Sequence, residues 1–211
     1  MRAVMLASAV LMLAVGVVAM LRSGLGAGPA DVFLAALSTH LGIAHGTAGV
    51  MFAIALTFVA VALRRHPGPG TLVLALGVGP MVNLLWNLSP TPNAMMLQWG
   101  QFGLGLLLVG LGIGSAIQAA WGPGNLELIT DGLVGRGLGT HSRIRIIIEV
   151  ALGSVGFILG GIAGPGTIVV AVTIGPLVML ASSLWGSLLV RWAAPTALPP
   201  LIPRLARTSR L

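Results

Sequence analysis

The chain contains only four acidic residues, which makes each of them a candidate for chemistry. They are Asp31, Glu127, Asp131 and Glu149. Asp31, Glu127 and Glu149 lie in or beside long apolar stretches, where an ionisable group is costly to bury and therefore often serves a function. We take these three carboxylates as candidate binding residues for a substrate or an ion.

Asp31 and Glu127 each follow a Gly-rich turn that begins a short helical stretch. One interpretation is helix capping, since an acid in the first turn offsets the positive end of the helix dipole. The other is that the two short helices meet and that their acids bind a proton, a cation or a cationic group. The sequence alone leaves both interpretations open.

Glu149 follows Arg145 by four residues, so the two side chains share one face of a helix. They are expected to form an ion pair near the cytoplasmic membrane interface. The alternative is that Glu149 is a buried carboxylate that takes up and releases a proton. Asp131 is expected at a wet edge, paired with Arg136.

Two Gly-Pro-Gly-Thr turns, at 68–71 and 164–167, begin later helices. A Thr side chain can cap such a helix, whereas free N–H groups at a helix start can bind an anion if they face a cavity. The candidate residues of these turns are Gly68, Gly70, Thr71, Gly164, Gly166 and Thr167. A further candidate is Asn83, a polar residue close to the end of an apolar stretch.

Motifs that would indicate an enzyme are missing from the sequence. It has no phosphate-binding loop, dinucleotide fingerprint, nucleophile elbow or His-Glu-x-x-His zinc motif. It also has no cysteine, which excludes thiol chemistry. We therefore expect no catalytic residues, no metal ion and no cofactor, and a function other than catalysis.

The elements that position these residues are predicted to be membrane helices. Of all residues, 56% are hydrophobic and 7% are charged, and the mean hydropathy is +1.03. Because soluble domains carry about 25% charged residues, this chain is expected to face the lipid bilayer. Its basic residues, all Arg, are interpreted as topology signals rather than as contacts to nucleic acid.

Six stretches are long and apolar enough, or nearly so, to cross a hydrocarbon core of roughly 30 Å. They run over about Ala3–Leu21, Gly46–Leu63, Thr71–Trp86, Met96–Ala119, Ile144–Leu159 and Thr167–Val190. Two shorter and more polar stretches, Pro29–Leu41 and Asn125–Leu138, predict interfacial or re-entrant half-helices.

An internal repeat relates the two halves of the chain at a spacing of 96 residues. The Gly-Pro-Gly-Thr turn at 68–71 recurs at 164–167, and Asp31 falls on Glu127. The repeats cover about 1–86 and 97–182, each with one span, one half-helix and two further spans. Because each repeat then crosses the membrane three times, the second is expected to be inverted relative to the first.

The Arg residues predict the orientation of the chain. With the N-terminus in the cytoplasm, ten Arg residues fall on cytoplasmic segments and only Arg22 falls outside. The prediction is a single multi-pass domain, 1–192, in the cell (plasma) membrane with both termini cytoplasmic. A Pro- and Arg-rich cytoplasmic tail, 193–211, is expected to follow it.

Several motifs resemble those of the bacterial YczE/YitT-type integral membrane proteins. They are Gly-x-Gly-Pro-Ala-Asp at 26–31, Leu-Gly-Ile-Ala-His-Gly-Thr at 41–47, and the Gly-rich run from Glu149 to Thr167. The resemblance extends to about Trp192 and implies a small multi-pass protein of the bacterial plasma membrane. Many relatives carry an acid in the third span, where this chain has Asn83.

These features together favour a small secondary transporter or permease of an unknown small metabolite, coupled to protons through Glu149 or Asp31. The alternative is a non-transporting membrane scaffold or accessory protein that supports partner enzymes. The sequence leaves the substrate open, as well as formation of a homodimer through the Gly-rich helix faces.

Overall fold

The computed structural model describes residues 1–193, with side chains up to Leu188. This part of the chain is all-helical and contains eight helices and no strand. The helices are α1 (Arg2–Arg22), α2 (Pro29–Leu41), α3 (His45–Ala62), α4 (Pro69–Trp86), α5 (Met95–Ala119), α6 (Asn125–Val134), α7 (His141–Ile158) and α8 (Pro165–Ala193). The predicted all-α fold class is confirmed, and the predicted tail at 193–211 lies almost entirely outside the described residues.

Most helix boundaries lie within three residues of those predicted, and α2 has the predicted bounds. The exception is α6, which ends at Val134 rather than at Leu138. Gly137 and Gly139 have φ angles of 76° and 145°. Because residues other than glycine rarely adopt such backbone angles, these glycines suit a turn and not a helix.

Five helices are long and apolar enough to cross a membrane, namely α1, α3, α4, α5 and α8. This number indicates a multi-pass membrane protein. Helix α7 has 18 residues but is not among the five. It carries Arg143, Arg145 and Glu149, so the sixth span stays a prediction.

Helices α1 and α5 form the centre of the molecule and run antiparallel. Gly16 of α1 packs on Gly105 of α5, and Ala9 packs on Gly112. Residues that come later in α1 therefore meet residues that come earlier in α5. The small side chains let the two backbones approach closely, as in many membrane helix pairs.

The remaining helices are arranged around this pair in a matching order. Helix α4 packs on α1 and α8 packs on α5, while α2 contacts α7 and α3 contacts α6. Three helices of the first half and three of the second begin 96 residues apart. Their first residues are Pro29 and Asn125, His45 and His141, and Pro69 and Pro165.

Candidate functional site

The second half of the chain holds a charged cluster in which Arg145 joins two carboxylates. Arg145 Nη1 donates to Glu127 Oε1 at 2.5 Å, and Arg145 Nε donates to Glu149 Oε1 at 2.7 Å. The three side chains are 30% (Arg145), 41% (Glu127) and 31% (Glu149) exposed. The predicted Arg145–Glu149 pair is confirmed, and the cluster also ties α6 to α7.

Asp31, which matches Glu127 in the repeat, has no such partner. Among the side chains of residues 1–188, its carboxylate has no partner in an ion pair or a side-chain hydrogen bond. It lines a cavity of about 210 Å³ together with His45, Thr71 and Asn125. Burial raises the pKa of the Asp31 carboxyl to about 6, because loss of water disfavours the charged form.

Small residues explain why this cavity exists. The positions 96 residues before Arg145 and Glu149 are Gly49 and Ala53, and both line the cavity beside Asp31. The first half therefore keeps the acid but lacks the arginine side chain. The space remains open.

His45 is the second ionisable residue on the wall of this cavity. It is only 8% exposed, and its ring stacks on Trp86 with the ring centroids 5.9 Å apart. Within the part of the chain that the structure describes, it has no hydrogen-bond partner, yet it leaves no fully enclosed polar atom unsatisfied. Its ring nitrogens are therefore unused within the described residues.

Helices α3 and α4 are packed closely together in the first half. Gly46 and Gly79 meet backbone to backbone, with no room for a side chain on either. Asn83 reinforces this contact, since its Oδ1 accepts the Gly46 N–H at 2.8 Å and its Nδ2 donates to Thr47 Oγ1 at 3.0 Å. Asn83, predicted as a binding residue, thus caps the start of α3 and fastens it to α4.

Helices α7 and α8 are separated in the second half. A cleft of about 600 Å³ lies between them and is bordered by α2, with Glu149, Thr167 and Ala171 on its walls. Gly175, the match of Gly79, has no neighbouring atom within 4 Å of the place where a Cβ would stand. Two matching helix pairs are thus closed in one half and open in the other.

The two Gly-Pro-Gly-Thr turns are held by hydrogen bonds that cross between the halves. Gly70 N donates to Trp121 O and Gly166 N donates to Leu25 O, both at 2.8 Å. The two donors, Gly70 and Gly166, are 96 residues apart, and so are the two acceptors, Leu25 and Trp121. These N–H groups are used within the chain, so the hydrogen bonds do not favour an anion at the helix starts.

The threonines of both turns make the same local contact. Thr71 Oγ1 accepts the N–H of Gly68, and Thr167 Oγ1 accepts that of Gly164, both at 3.2 Å. Both belong to the first turn of their helix, since the helices begin two residues before them. This geometry fits the capping interpretation, while both threonines also line cavities.

The predicted candidates are divided among three cavities. Asp31 and Thr71 line the small cavity, and Glu149 and Thr167 line the α7–α8 cleft. Glu127 lines a third cavity, of about 640 Å³, together with Arg145. The three candidate carboxylates therefore do not line one common cavity.

The predicted pair of Asp131 with Arg136 was wrong. Asp131 Oδ1 lies 3.2 Å from His141 Nε2. Arg136, the expected partner, instead directs Nη2 to Ala62 O at 3.4 Å, because the chain turns away after α6.

Sequence reasoning missed Gly49 and Ala53, which shape the cavity, as well as the place of His45 on the cavity wall. A signal was available in the repeat. Where one half has a charged pair, Arg145 and Glu149, the other has two small residues. Such a difference between otherwise matched segments indicates an unfilled space.

Comparison with known proteins identifies the family. Residues 1–183 match the family of unknown function DUF6198, and the chain belongs to that family. The narrower YczE/YitT designation stays a prediction.

Two curated bacterial proteins are similar to the chain, and neither has an assigned activity in its name. An "Uncharacterized protein" of Haemophilus influenzae is 25% identical over 156 residues, which cover 74% of this chain and 72% of that protein. "Uncharacterized protein YyaS" of Bacillus subtilis is 29% identical over 125 residues, which cover 57% of this chain and 62% of the relative. No solved structure was found to match the chain.

Proposed function

We propose that this member of the DUF6198 family is a small secondary transporter or permease of the bacterial plasma membrane. The observation that carries the proposal is the difference between two matching helix pairs, α3–α4 closed and α7–α8 open. In transporters built from inverted repeats, such a difference sets which side of the membrane reaches the substrate. Exchange of the two arrangements would expose the other side.

Several contacts support the inverted repeat on which this proposal depends. The first helices of the two halves, α1 and α5, run antiparallel, as inversion requires. The hydrogen bonds from Gly70 to Trp121 and from Gly166 to Leu25 form a reciprocal pair. Both features are expected of two halves related by a two-fold axis in the membrane plane. We accordingly include α7 as the sixth span, with both termini in the cytoplasm.

Proton coupling is assigned to Asp31 rather than to Glu149. Glu149 is already bonded to Arg145 within the chain, by Arg145 Nε at 2.7 Å. Asp31 is free of such a partner among the described residues, and burial raises its pKa to about 6. A carboxyl of that kind can gain and lose a proton near neutral pH.

Two single-cysteine variants test alternating access, since the natural chain has no cysteine. Ala75 lines the small cavity and Ala171, its repeat match, lines the open cleft. We expect a membrane-impermeant maleimide to label Ala171→Cys from one side of the membrane and Ala75→Cys only from the other. Labelling is measured in right-side-out and inside-out vesicles.

Labelling of both cysteines from the same side would contradict the inverted arrangement and the transporter together. The scaffold alternative has a separate test, in which Asp31, Glu127 and Glu149 are all replaced by their amides. A transporter is expected to lose its cellular effect in this variant, whereas a scaffold that still folds would keep it.

A further inference from the structure

The second half shows what an acid at this repeat position binds. Glu127 holds the guanidinium group of Arg145, which reaches it from the neighbouring helix α7. Arg145 also bonds Glu149 of its own helix. Its guanidinium group therefore lies between a carboxylate of α6 and a carboxylate of α7. A planar guanidinium suits such carboxylate pairing because its N–H donors have fixed directions.

The first half repeats the acid without the cation. Gly49 and Ala53 replace the arginine and its second carboxylate, and both line the cavity with Asp31. The cavity of about 210 Å³ is several times the roughly 30 Å³ that one water occupies in the liquid. It is smaller than the roughly 300 Å³ at which drug-sized pockets begin, so its occupant must be small.

The other polar groups of the cavity leave Asp31 and His45 for a ligand. Thr71 Oγ1 already donates to Pro123 O at 2.6 Å. The Asn125 side chain donates to Ala53 O at 3.2 Å and also bonds Thr57. His45 is more than nine-tenths buried and has no partner among residues 1–188. A neutral imidazole nitrogen can accept a donor N–H.

The remaining wall of the cavity is apolar. It includes Val17, Leu34, Leu74 and Val78. A hard metal ion such as Ca²⁺ requires six to eight oxygen ligands, and no group of three or more His, Asp or Glu side chains is placed to hold a metal within the described residues. One carboxylate in an apolar wall suits an organic cation, whose alkyl part packs on the wall.

We propose that the cavity beside Asp31 binds a small organic cation of the guanidinium or alkylammonium type, in the place that Arg145 fills in the other half. This inference rests on the repeat equivalence of the proposed function and names its substrate class. Asp31 is the counter-ion, His45 accepts a second N–H, and the missing side chain at Gly49 leaves room for the ligand.

Binding is measured on the full chain in detergent, by isothermal titration and by the shift in melting temperature. The probes are methylguanidinium and methylammonium, with sodium at the same ionic strength as the control. We expect saturable binding and a higher melting temperature with at least one organic cation and no saturable effect of sodium. The probe that binds more tightly, methylguanidinium or methylammonium, shows which type of cation the cavity prefers.

Two variants are expected to lose the site. Asp31→Asn removes the counter-ion, and Gly49→Arg supplies the chain's own guanidinium, as Arg145 does beside Glu127. Asp31→Asn is expected to weaken probe binding about tenfold or more, because the buried cation then has no counter-charge. Gly49→Arg is expected to weaken it at least as much, because its guanidinium occupies the place of the probe.

A matched control is expected to keep binding within about twofold, which lies within the ordinary effect of a surface change. This control is Asp131→Asn, which removes a carboxylate that is 46% exposed and lies on another helix. Should Gly49→Arg fail to fold, Asp31→Asn alone decides the question.

Absence of saturable binding of either organic cation to the natural chain would overturn the proposal, as would unchanged binding in Asp31→Asn. The result is separable from that of the proposed function. Cation binding together with cysteine labelling from one side only would indicate a cation-binding membrane protein that does not transport. Labelling from opposite sides without cation binding would indicate a transporter for another class of substrate.

Discussion

The two halves of the molecule share one helical plan and differ in how two of their helices meet. In the first half, α3 and α4 touch through Gly46 and Gly79. In the second half, α7 and α8 border a cleft of about 600 Å³. Gly175 matches Gly79, but the residue that matches Gly46 is Ser142, so the second half cannot repeat the contact between two glycines.

The difference follows from the side chains around the glycines. Asn83 hydrogen-bonds Gly46 and Thr47 and so fastens α3 to α4. Its match in the second half is Met179, which is 70% exposed and cannot form such bonds. Asn83 therefore adds to the glycine contact that holds the first pair closed.

The two halves also differ in charge, and here it is the second half that is filled and the first that is open. Arg145 fills the space beside Glu127 in the second half, whereas the space beside Asp31 is empty in the first. Where the helices are closed, a cavity remains within the half. Where they are open, an arginine of the chain lies beside the matching acid. The same helical plan thus leaves an empty space in one half and an ion pair at the matched positions of the other.

The largest effect is expected from adding a methyl group to the closed contact. In Gly79→Ala the new Cβ would overlap the carbonyl oxygen of Gly46, so α3 must move away from α4. We expect a loss of about 1–3 kcal/mol in the free energy of unfolding, typical of overpacking. The measurement is thermal unfolding in detergent.

The matched control for this change is Gly175→Ala. Its Cβ would meet no atom within 4 Å, and alanine is favoured over glycine inside a helix by up to about 1 kcal/mol. Equal destabilisation by both substitutions would show that the two helix pairs are equally packed and would remove the contrast between the halves.

A smaller effect is expected from Asn83→Leu, which keeps the size of the side chain but removes its hydrogen bonds. The buried N–H of Gly46 then lacks its acceptor. Because the helices relax, we expect a loss of about 1–2 kcal/mol, in the lower part of the range for an unsatisfied buried donor. Relaxation opens the gap between α3 and α4, so maleimide labelling of Ala75→Cys should become faster in the Asn83→Leu background.

Met179→Ala is the matched control for Asn83→Leu. Met179 makes no corresponding bond and is largely exposed, so a change within about 0.5 kcal/mol is expected. Labelling of Ala75→Cys that is equally slow with and without the Asn83→Leu substitution would show that Asn83 does not hold the pair closed.

The helices themselves could be predicted because their signals are local. Gly-Pro turns begin α4 and α8, and the repeat spacing places α2 and α6 in register. The end of α6 was less predictable, because an apolar run continues past Val134 to Leu138 although glycines end the helix. Helix α7 was predicted as a span, but with its charged residues it is not among the five described helices that are long and apolar enough to cross a membrane.

The site was harder to predict because it depends on what is absent. Asp31 is visible in the sequence, but its lack of a partner is a property of the packing around Gly49 and Ala53. The pair of Arg145 with Glu149 was predictable from its spacing of four, whereas its bond to Glu127 joins two helices. Contacts between elements, and the spaces they leave, are not encoded in local periodicity.

The smallest effect is expected from pH acting on Asp31. Folding raises the pKa of this carboxyl from 3.8 to about 6, so the folded chain holds the proton more tightly than the unfolded chain does. Burial of the charge therefore costs nothing below about pH 4, a growing amount between pH 4 and 6, and its full amount above pH 6.

Asp31→Asn removes this cost and sharpens the contrast with Glu127, whose charge is matched by Arg145. The variant should be more stable than the natural chain above pH 6, by on the order of 1 kcal/mol, and the gain should vanish as the pH falls to 4. His45 is the other titratable residue on the cavity wall, so the series is repeated in His45→Gln to separate the two. Melting temperatures are measured from pH 4 to 8, with Asp131→Asn as the exposed control. An effect of Asp31→Asn that does not depend on pH would show that folding leaves the pKa of Asp31 unchanged.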